Sequence, residues 1–178
     1  LIEIYEALAA HGYREVGQEY LQNVLDTAKQ LDAYDSGRIY YYLGEYQKAY
    51  LALDEARDKG GADSYLYLGR AYAATGDYNY ASSVYNNYLS KQGPNAEIYN
   101  ELGLCEMAKK EYQNALAAFQ AGKQIEGNSL MQTLCFNEIV AYEYLEDYQQ
   151  AEVLMNAYLQ NYPDDQTAIR EQQFLSTR

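Results

Sequence analysis

The chain has 178 residues, 26 of them acidic and 13 basic, for a formal charge of −13. That balance excludes the basic surface that nucleic-acid binding needs, and it disfavours an anionic membrane. Hydrophobic residues make up 48% and charged residues 22%, so the chain is not of a disordered composition. No run is apolar and long enough to enter a bilayer.

Leu1 to Ala10 sets Leu1, Ile4, Tyr5 and Leu8 on one helical stripe. His11-Gly12 breaks it, and Tyr13 to Lys29 resumes with Tyr13, Val16, Tyr20, Val24 and Leu25. Together they make a degenerate first helix pair over residues 1–29. The second unit spans 30–61, with Gly37 at position 8, Tyr40 at 11, Gly44 in a turn, Tyr46 at 17, Ala49 at 20 and Leu53 at 24. Gly60-Gly61 ends its second helix, because glycine takes a left-handed cap conformation cheaply.

The third unit, 62–95, repeats the marks: Tyr65 at 4, Leu68-Gly69 at 7 and 8, Tyr72 at 11, Tyr78 at 17, Ala81 at 20 and Tyr85 at 24. Thr75-Gly76-Asp77 forms its turn. The fourth, 96–129, follows with Tyr99, Leu102-Gly103, Tyr112, Ala115 and Phe119, but with Glu106 where an aromatic stands at position 11 elsewhere. The fifth, 130–163, is displaced by two residues and carries Ile139 at position 8. Asn128-Ser129 reads as its helix N-cap, so its first helix is expected to start early and run long. Residues 164–178 predict one further helix, with Ile169 and Phe174-Leu175 as its apolar side.

This spacing resembles the tetratricopeptide repeat, a helix–turn–helix unit of 34 residues. The resemblance implies an all-α fold, a right-handed superhelical solenoid of antiparallel helix pairs. Small residues at positions 8 and 20 let two backbones approach, so Gly37, Gly69 and Gly103 are expected to face Ala49, Ala81 and Ala115. One hairpin cannot bury both its faces, so its neighbours must stack on it.

In the family, first helices line a concave face where peptides often bind. Positions 2, 5, 9 and 12 of each first helix form a stripe beside the buried one, and half of its residues here are large and apolar or aromatic. The candidate partner-binding residues on and beside it are Tyr34, Arg38, Tyr41, Tyr42, Tyr67, Arg70, Asn100, Met107, Phe136, Asn137 and Tyr144. Tyrosine supplies contact area and a hydroxyl at low conformational cost. Arg38 and Arg70 both occupy position 9 of adjacent units, which predicts two guanidinium groups side by side for a partner's carboxylate. Internal pairing, for example of Arg38 with Asp35, is the competing reading. Some family members clamp a C-terminal carboxylate with Lys and Asn at positions 2, 5 and 6. Lys is absent from those positions here, so that activity does not transfer.

No catalytic motif, Gly-rich phosphate loop, metal cluster or cofactor signature is present. The single histidine, His11, sits at a helix–turn junction, and Cys105 and Cys135 fall at different heights of successive helices. The expected function is a non-enzymatic scaffold for a protein or peptide. The alternatives are a self-associating structural module, joined end to end through apolar ends, or an accessory domain of a larger surface or enzymatic protein. The start on Leu1 suggests a piece of a longer chain. The Tyr-rich, acidic style resembles soluble parts of bacterial surface lipoproteins, which leans towards an extracytoplasmic, membrane-anchored setting. Replacing Ala81 by Leu is expected to overpack the helix junction and cost about 1–3 kcal/mol, read as a lowered melting temperature.

Overall fold

A computed structural model describes residues 1–178 as helices joined by short turns. They are α1 (Ile2–Ala10), α2 (Arg14–Thr27), α3 (Ala33–Tyr42), α4 (Tyr46–Glu55), α5 (Gly61–Ala74) and α6 (Tyr78–Gln92). Then come α7 (Ala96–Ala108), α8 (Tyr112–Lys123), α9 (Met131–Tyr144), α10 (Tyr148–Asn161) and α11 (Gln166–Leu175). The chain divides into two compact units, Leu1–Val84 and Tyr85–Arg178, with the division inside α6.

The same turn closes five hairpins. One residue after each first helix takes a left-handed backbone: Gly12, Gly44, Gly76, Lys110 and Glu146, with φ between 61° and 85°. The next amide then reaches back to the helix. Glu45 N donates to the Tyr40 carbonyl at 2.9 Å, Asp77 N to Tyr72 at 3.0 Å, Glu111 N to Glu106 at 2.9 Å and Asp147 N to Tyr142 at 3.0 Å. These bonds satisfy carbonyls that the helix end would otherwise orphan. Glycine meets the left-handed requirement without a Cβ penalty; Lys110 and Glu146 meet it under strain.

Side-chain caps set several helix starts. Asp32 accepts from Asp35 N at 2.8 Å, Asn95 from Ile98 N at 3.0 Å and Asp147 from Gln150 N at 3.1 Å. Asp165 takes both Thr167 N and Ala168 N, at 3.0 and 3.1 Å. Asn128 behaves differently from the sequence expectation. Its Oδ1 accepts from Leu130 N at 3.1 Å and its amide donates to the Ile125 carbonyl at 2.6 Å, so it closes a turn. The helix α9 begins only at Met131.

Helix pairs meet where the sequence is smallest, but at Gly37 and Gly103 the side chain that fills the glycine's space is not the expected alanine. A Cβ on Gly37 would lie 2.6 Å from Leu53, and one on Gly103 would lie 2.3 Å from the Phe119 ring. The glycine therefore receives the large residue at position 24, one turn beyond the alanine. Ala49 and Ala115 are fully buried beside these contacts. In the fifth unit Ile139 takes the glycine's place, and α9 and α10 pack less closely than α7 and α8.

In the first unit Ile2, Tyr5, Leu21 and Ile39 form a core shared by α1, α2 and α3. Tyr50 of α4 stacks on Tyr72 of α5, with ring centroids 4.4 Å apart and planes at 7°. In the second unit Phe119 and Leu116 of α8 pack with Leu134 and Ala141 of α9. A further cluster of Ile139, Met155, Tyr158, Ala168 and Leu175 joins α9, α10 and α11. Glu106, the residue that departed from the aromatic pattern, is buried and its carboxylate accepts from Lys109 Nζ at 2.8 Å.

The strained turns make a prediction. Glu146→Gly relieves a left-handed residue in an exposed turn and is expected to stabilise the fold by about 0.5–1 kcal/mol. Thermal unfolding followed by circular dichroism reads it as a rise in midpoint.

Candidate functional site

In the first unit the expected residues converge on Tyr67. The Arg38 guanidinium lies 5.2 Å from the centre of its ring, and the Arg70 guanidinium 5.8 Å. Arg38 also lies 5.0 Å from the Tyr34 ring. Tyr41 and Tyr42 meet Tyr67 edge to face, at 5.5 and 5.8 Å. The helices α3 and α5 thus bring six of the candidate residues into one patch, as positions 5, 6, 9, 12 and 13 of successive first helices should.

A hydrogen-bonded line runs through this patch. The Tyr42 hydroxyl donates to Glu6 Oε1 at 2.5 Å and lies 2.9 Å from the Tyr67 hydroxyl. A hydroxyl has one proton, so Tyr42 accepts from Tyr67. The line runs through two phenols to a carboxylate, and the Arg38 guanidinium lies against the ring at its start. Burial raises the Tyr42 phenol far above its usual range, with its bonds to Glu6 and Tyr67 adding to the effect. Tyr34 is pushed up to about 12, mainly by burial; Arg38 opposes that rise, while Asp63, which accepts from the Tyr34 hydroxyl at 3.2 Å, adds to it. Burial alone would lower Arg38, but Tyr34 and Tyr67 outweigh it and hold the guanidinium charged.

The internal ion pair of Arg38 is slight. Its Nη1 stands 4.0 Å from Asp35, at the limit of an ion pair. Its Nε is buried without a hydrogen-bond partner. The guanidinium is held by rings more than by a carboxylate.

The second unit holds the other candidates in a different arrangement. Asn137 donates its amide to Asn100 Oδ1 at 2.9 Å, so α7 and α9 carry a paired amide. Phe136 and Asn137 line a cavity of about 300 Å³ with Gln132, Thr133, Tyr158 and Asp165. Phe136 meets the Tyr158 ring at 5.7 Å, and the Tyr158 hydroxyl donates to Asp165 Oδ2 at 2.7 Å. Met107 is half-buried against the Phe119 core rather than standing on a free face. Tyr144 is exposed and stacks on Tyr112 at 5.0 Å.

Sequence reading missed Glu6, Asp63, Gln132 and Asp165 as parts of these surfaces. Glu6 sits in the pair whose repeat frame is degenerate, so no register pointed to it. Asp63 occupied the stripe but carried no ligand motif. Asp165 looked like an ordinary helix-start acid, and it is one; its second oxygen also faces the cavity. No group of three or more metal-ligating side chains converges anywhere. Both cysteines are free thiols.

Glu143, at position 12 of the fifth first helix, carries a carboxyl pushed up to about 7. Burial is the larger cause, and the neighbouring Glu171 carboxylate of α11 adds repulsion.

The helical hairpins, their repeated turns and their small-residue contacts define an array of stacked repeats. The tetratricopeptide repeat family model matches residues 34–81 and 68–128, more than half of the chain. The chain belongs to the tetratricopeptide repeat family. Among curated proteins no sequence match is found. Solved structures share the fold. The second tetratricopeptide domain of human RPAP3, in complex with the HSP70 peptide SGPTIEEVD, superposes with a TM-score of 0.59 at 17% identity, covering 66% of this chain and 97% of that one. MamA MSR-1 gives 0.64 at 21% identity, covering 80% and 82%. Cut9, in the APC/C hetero-tetramer Cut9–Hcn1, gives 0.68 at 19% identity, covering 96% of this chain and 34% of that one.

The Glu143 carboxyl sets a pH dependence. Its folded pKa lies above the ordinary carboxylate value, so the folded state binds the proton more tightly. Stability therefore falls as pH rises from about 4.5 through about 7. Glu143→Gln is expected to remove that slope and to raise the melting temperature more at pH 8 than at pH 5.

Proposed function

We propose that this chain is a non-enzymatic scaffold that holds a peptide segment of a protein partner on the first-helix surface of its repeats. The patch around Tyr67 carries the reading. Two guanidinium groups approach one ring there, in a chain with twice as many acids as bases. The marginal contact with Asp35 leaves the Arg38 guanidinium held by ring faces more than by a carboxylate of its own chain. A carboxylate from outside is the natural complement, because the planar guanidinium fork matches its two oxygens.

The tyrosines supply the rest. Tyr67 is almost wholly buried and pinned by its hydroxyl, while Tyr34, Tyr41 and Tyr42 are half-buried and keep ring surface towards solvent. Rings fixed in this way lose little entropy on binding. In the second unit the Asn100–Asn137 pair uses one amide proton of Asn137 and the oxygen of Asn100, which leaves the Asn137 oxygen as an acceptor and the Asn100 amide group as a donor for a peptide group. The peptide bound by the RPAP3 domain is acidic, and that neighbour supports a peptide ligand as the class of partner.

The test is a peptide array followed by surface plasmon resonance on the best sequences, with and without acidic residues. Arg38→Ala with Arg70→Ala is expected to weaken acidic peptides by at least about tenfold, since hydrogen bonds to charged groups contribute about 1.5–3 kcal/mol. Equal binding by the double variant removes the arginine pair from the site.

A further inference from the structure

A second cavity of about 410 Å³ opens beside this patch, between α1, α2 and the α3–α4 turn. We propose that it is a binding site for a small zwitterion that joins an alkylated ammonium group to an anionic group, a ligand of betaine type. The inference goes beyond the peptide reading: Tyr41, Tyr42 and Glu6 border both surfaces, while Tyr5, Arg14 and Tyr46 belong to the cavity alone.

Four tyrosines shape the cavity. Tyr5, almost wholly buried, forms its floor, with its ring 4.7 Å from that of Tyr42 and tilted by 49°. Tyr41 stands edge-on to Tyr42 at 5.4 Å and 78°, and Tyr46 lies 5.8 Å from Tyr41 at 58°. No two of these neighbouring rings are parallel. Their faces therefore turn through a corner, and a cation seated in it meets more than one π-surface.

The charges around the rings set the rest of the ligand. Glu6 lines the cavity from α1 and Arg14 from α2. The hydrogen bond that engages Glu6 comes from Tyr42 and occupies Oε1. The carboxylate is thus held through one oxygen at the wall of the cavity. A primary ammonium needs three acceptors, and Glu6 is the only acid lining the cavity. An alkylated ammonium needs none and gains from contact with the rings. A bare cation of that kind is repelled by Arg14. A ligand that carries its own anion turns that repulsion into a charge-assisted bond. The size agrees, because the cavity lies within the range of small-molecule sites.

Isothermal titration calorimetry of the full chain tests the proposal, with glycine betaine and phosphocholine as probes. Choline, which lacks the anion, and glucose, which lacks both charges, are the controls. Binding of at least one zwitterion is expected, at least about tenfold tighter than choline or glucose. Arg14→Ala and Glu6→Gln, both at exposed positions, are each expected to weaken it by about tenfold. Circular dichroism verifies that both variants fold. Flotation with phosphatidylcholine vesicles separates the two sources of the ligand: co-flotation marks a lipid headgroup, its absence a free solute. Failure of both zwitterions to bind overturns the proposal, as does equal binding of choline, glucose or the two variants. Arg38 and Arg70 lie outside this cavity, so the arginine double variant keeps its zwitterion binding whatever becomes of the peptide reading.

Discussion

Two helices can lie this close only where one of them has no side chain in the way. Gly37 receives Leu53, and Gly103 receives the Phe119 ring, at distances that leave no room for a Cβ. The contact does two things at once. It fixes the height at which the second helix crosses the first, and it buries Leu53 and Phe119 almost completely. The left-handed turn at Gly44 and Lys110 leads the chain directly into these crossings, and the α9–α10 hairpin keeps the same turn at Glu146 with Ile139 in the glycine's place. A hairpin closed in this way has used only one side of each helix. Its other apolar side is covered by the next hairpin, as Leu134 of α9 covers Gly122 of α8.

What remains is the stripe of each first helix beside the buried one, and here polar chemistry takes over from packing. In the first unit the bonded line Tyr67–Tyr42–Glu6 runs through two phenols to a carboxylate, and the Arg38 guanidinium lies against the Tyr67 ring. Each bond polarises the next, so the line is stiffer than isolated pairs of the same length. It also explains why the rings sit where they do. A phenylalanine at either phenol would keep the ring contacts but lose the bonds that hold the rings in register. The second unit solves the same problem with amides and a cap carboxylate, Asn100 with Asn137 and Tyr158 with Asp165. The two units therefore offer different chemistry on equivalent helix faces.

The repeat frame was legible because backbone geometry demands particular residues. Left-handed turns at Gly44 and Gly76 and close crossings at Gly37 and Gly103 leave few alternatives, so their spacing announces them. The reading was less successful where a residue type serves several geometries. Asn128 has the composition of a helix cap yet closes a turn two residues earlier. The glycines were matched to alanines by symmetry of size, whereas packing pairs a hole with a knob. For the site, position alone brought Arg38, Arg70 and Tyr67 together. It gave no sign of Glu6, whose unit lacks the repeat marks, or that Met107 turns inward.

The abundance of tyrosine also acquires a reason. There are 23 in the chain, and the repeat marks account for only part of them. A phenylalanine at those places would expose an apolar ring to water. Tyrosine keeps the ring and adds a hydroxyl that binds inward to Asp63, Glu6 or Asp165. Each such bond spends an acid of the chain on one of its own phenols. Because Asp63 and Glu6 are drawn towards Tyr34 and Tyr42, the ion pair of Arg38 is the marginal one with Asp35 at 4.0 Å, and its guanidinium rests against the Tyr34 and Tyr67 rings.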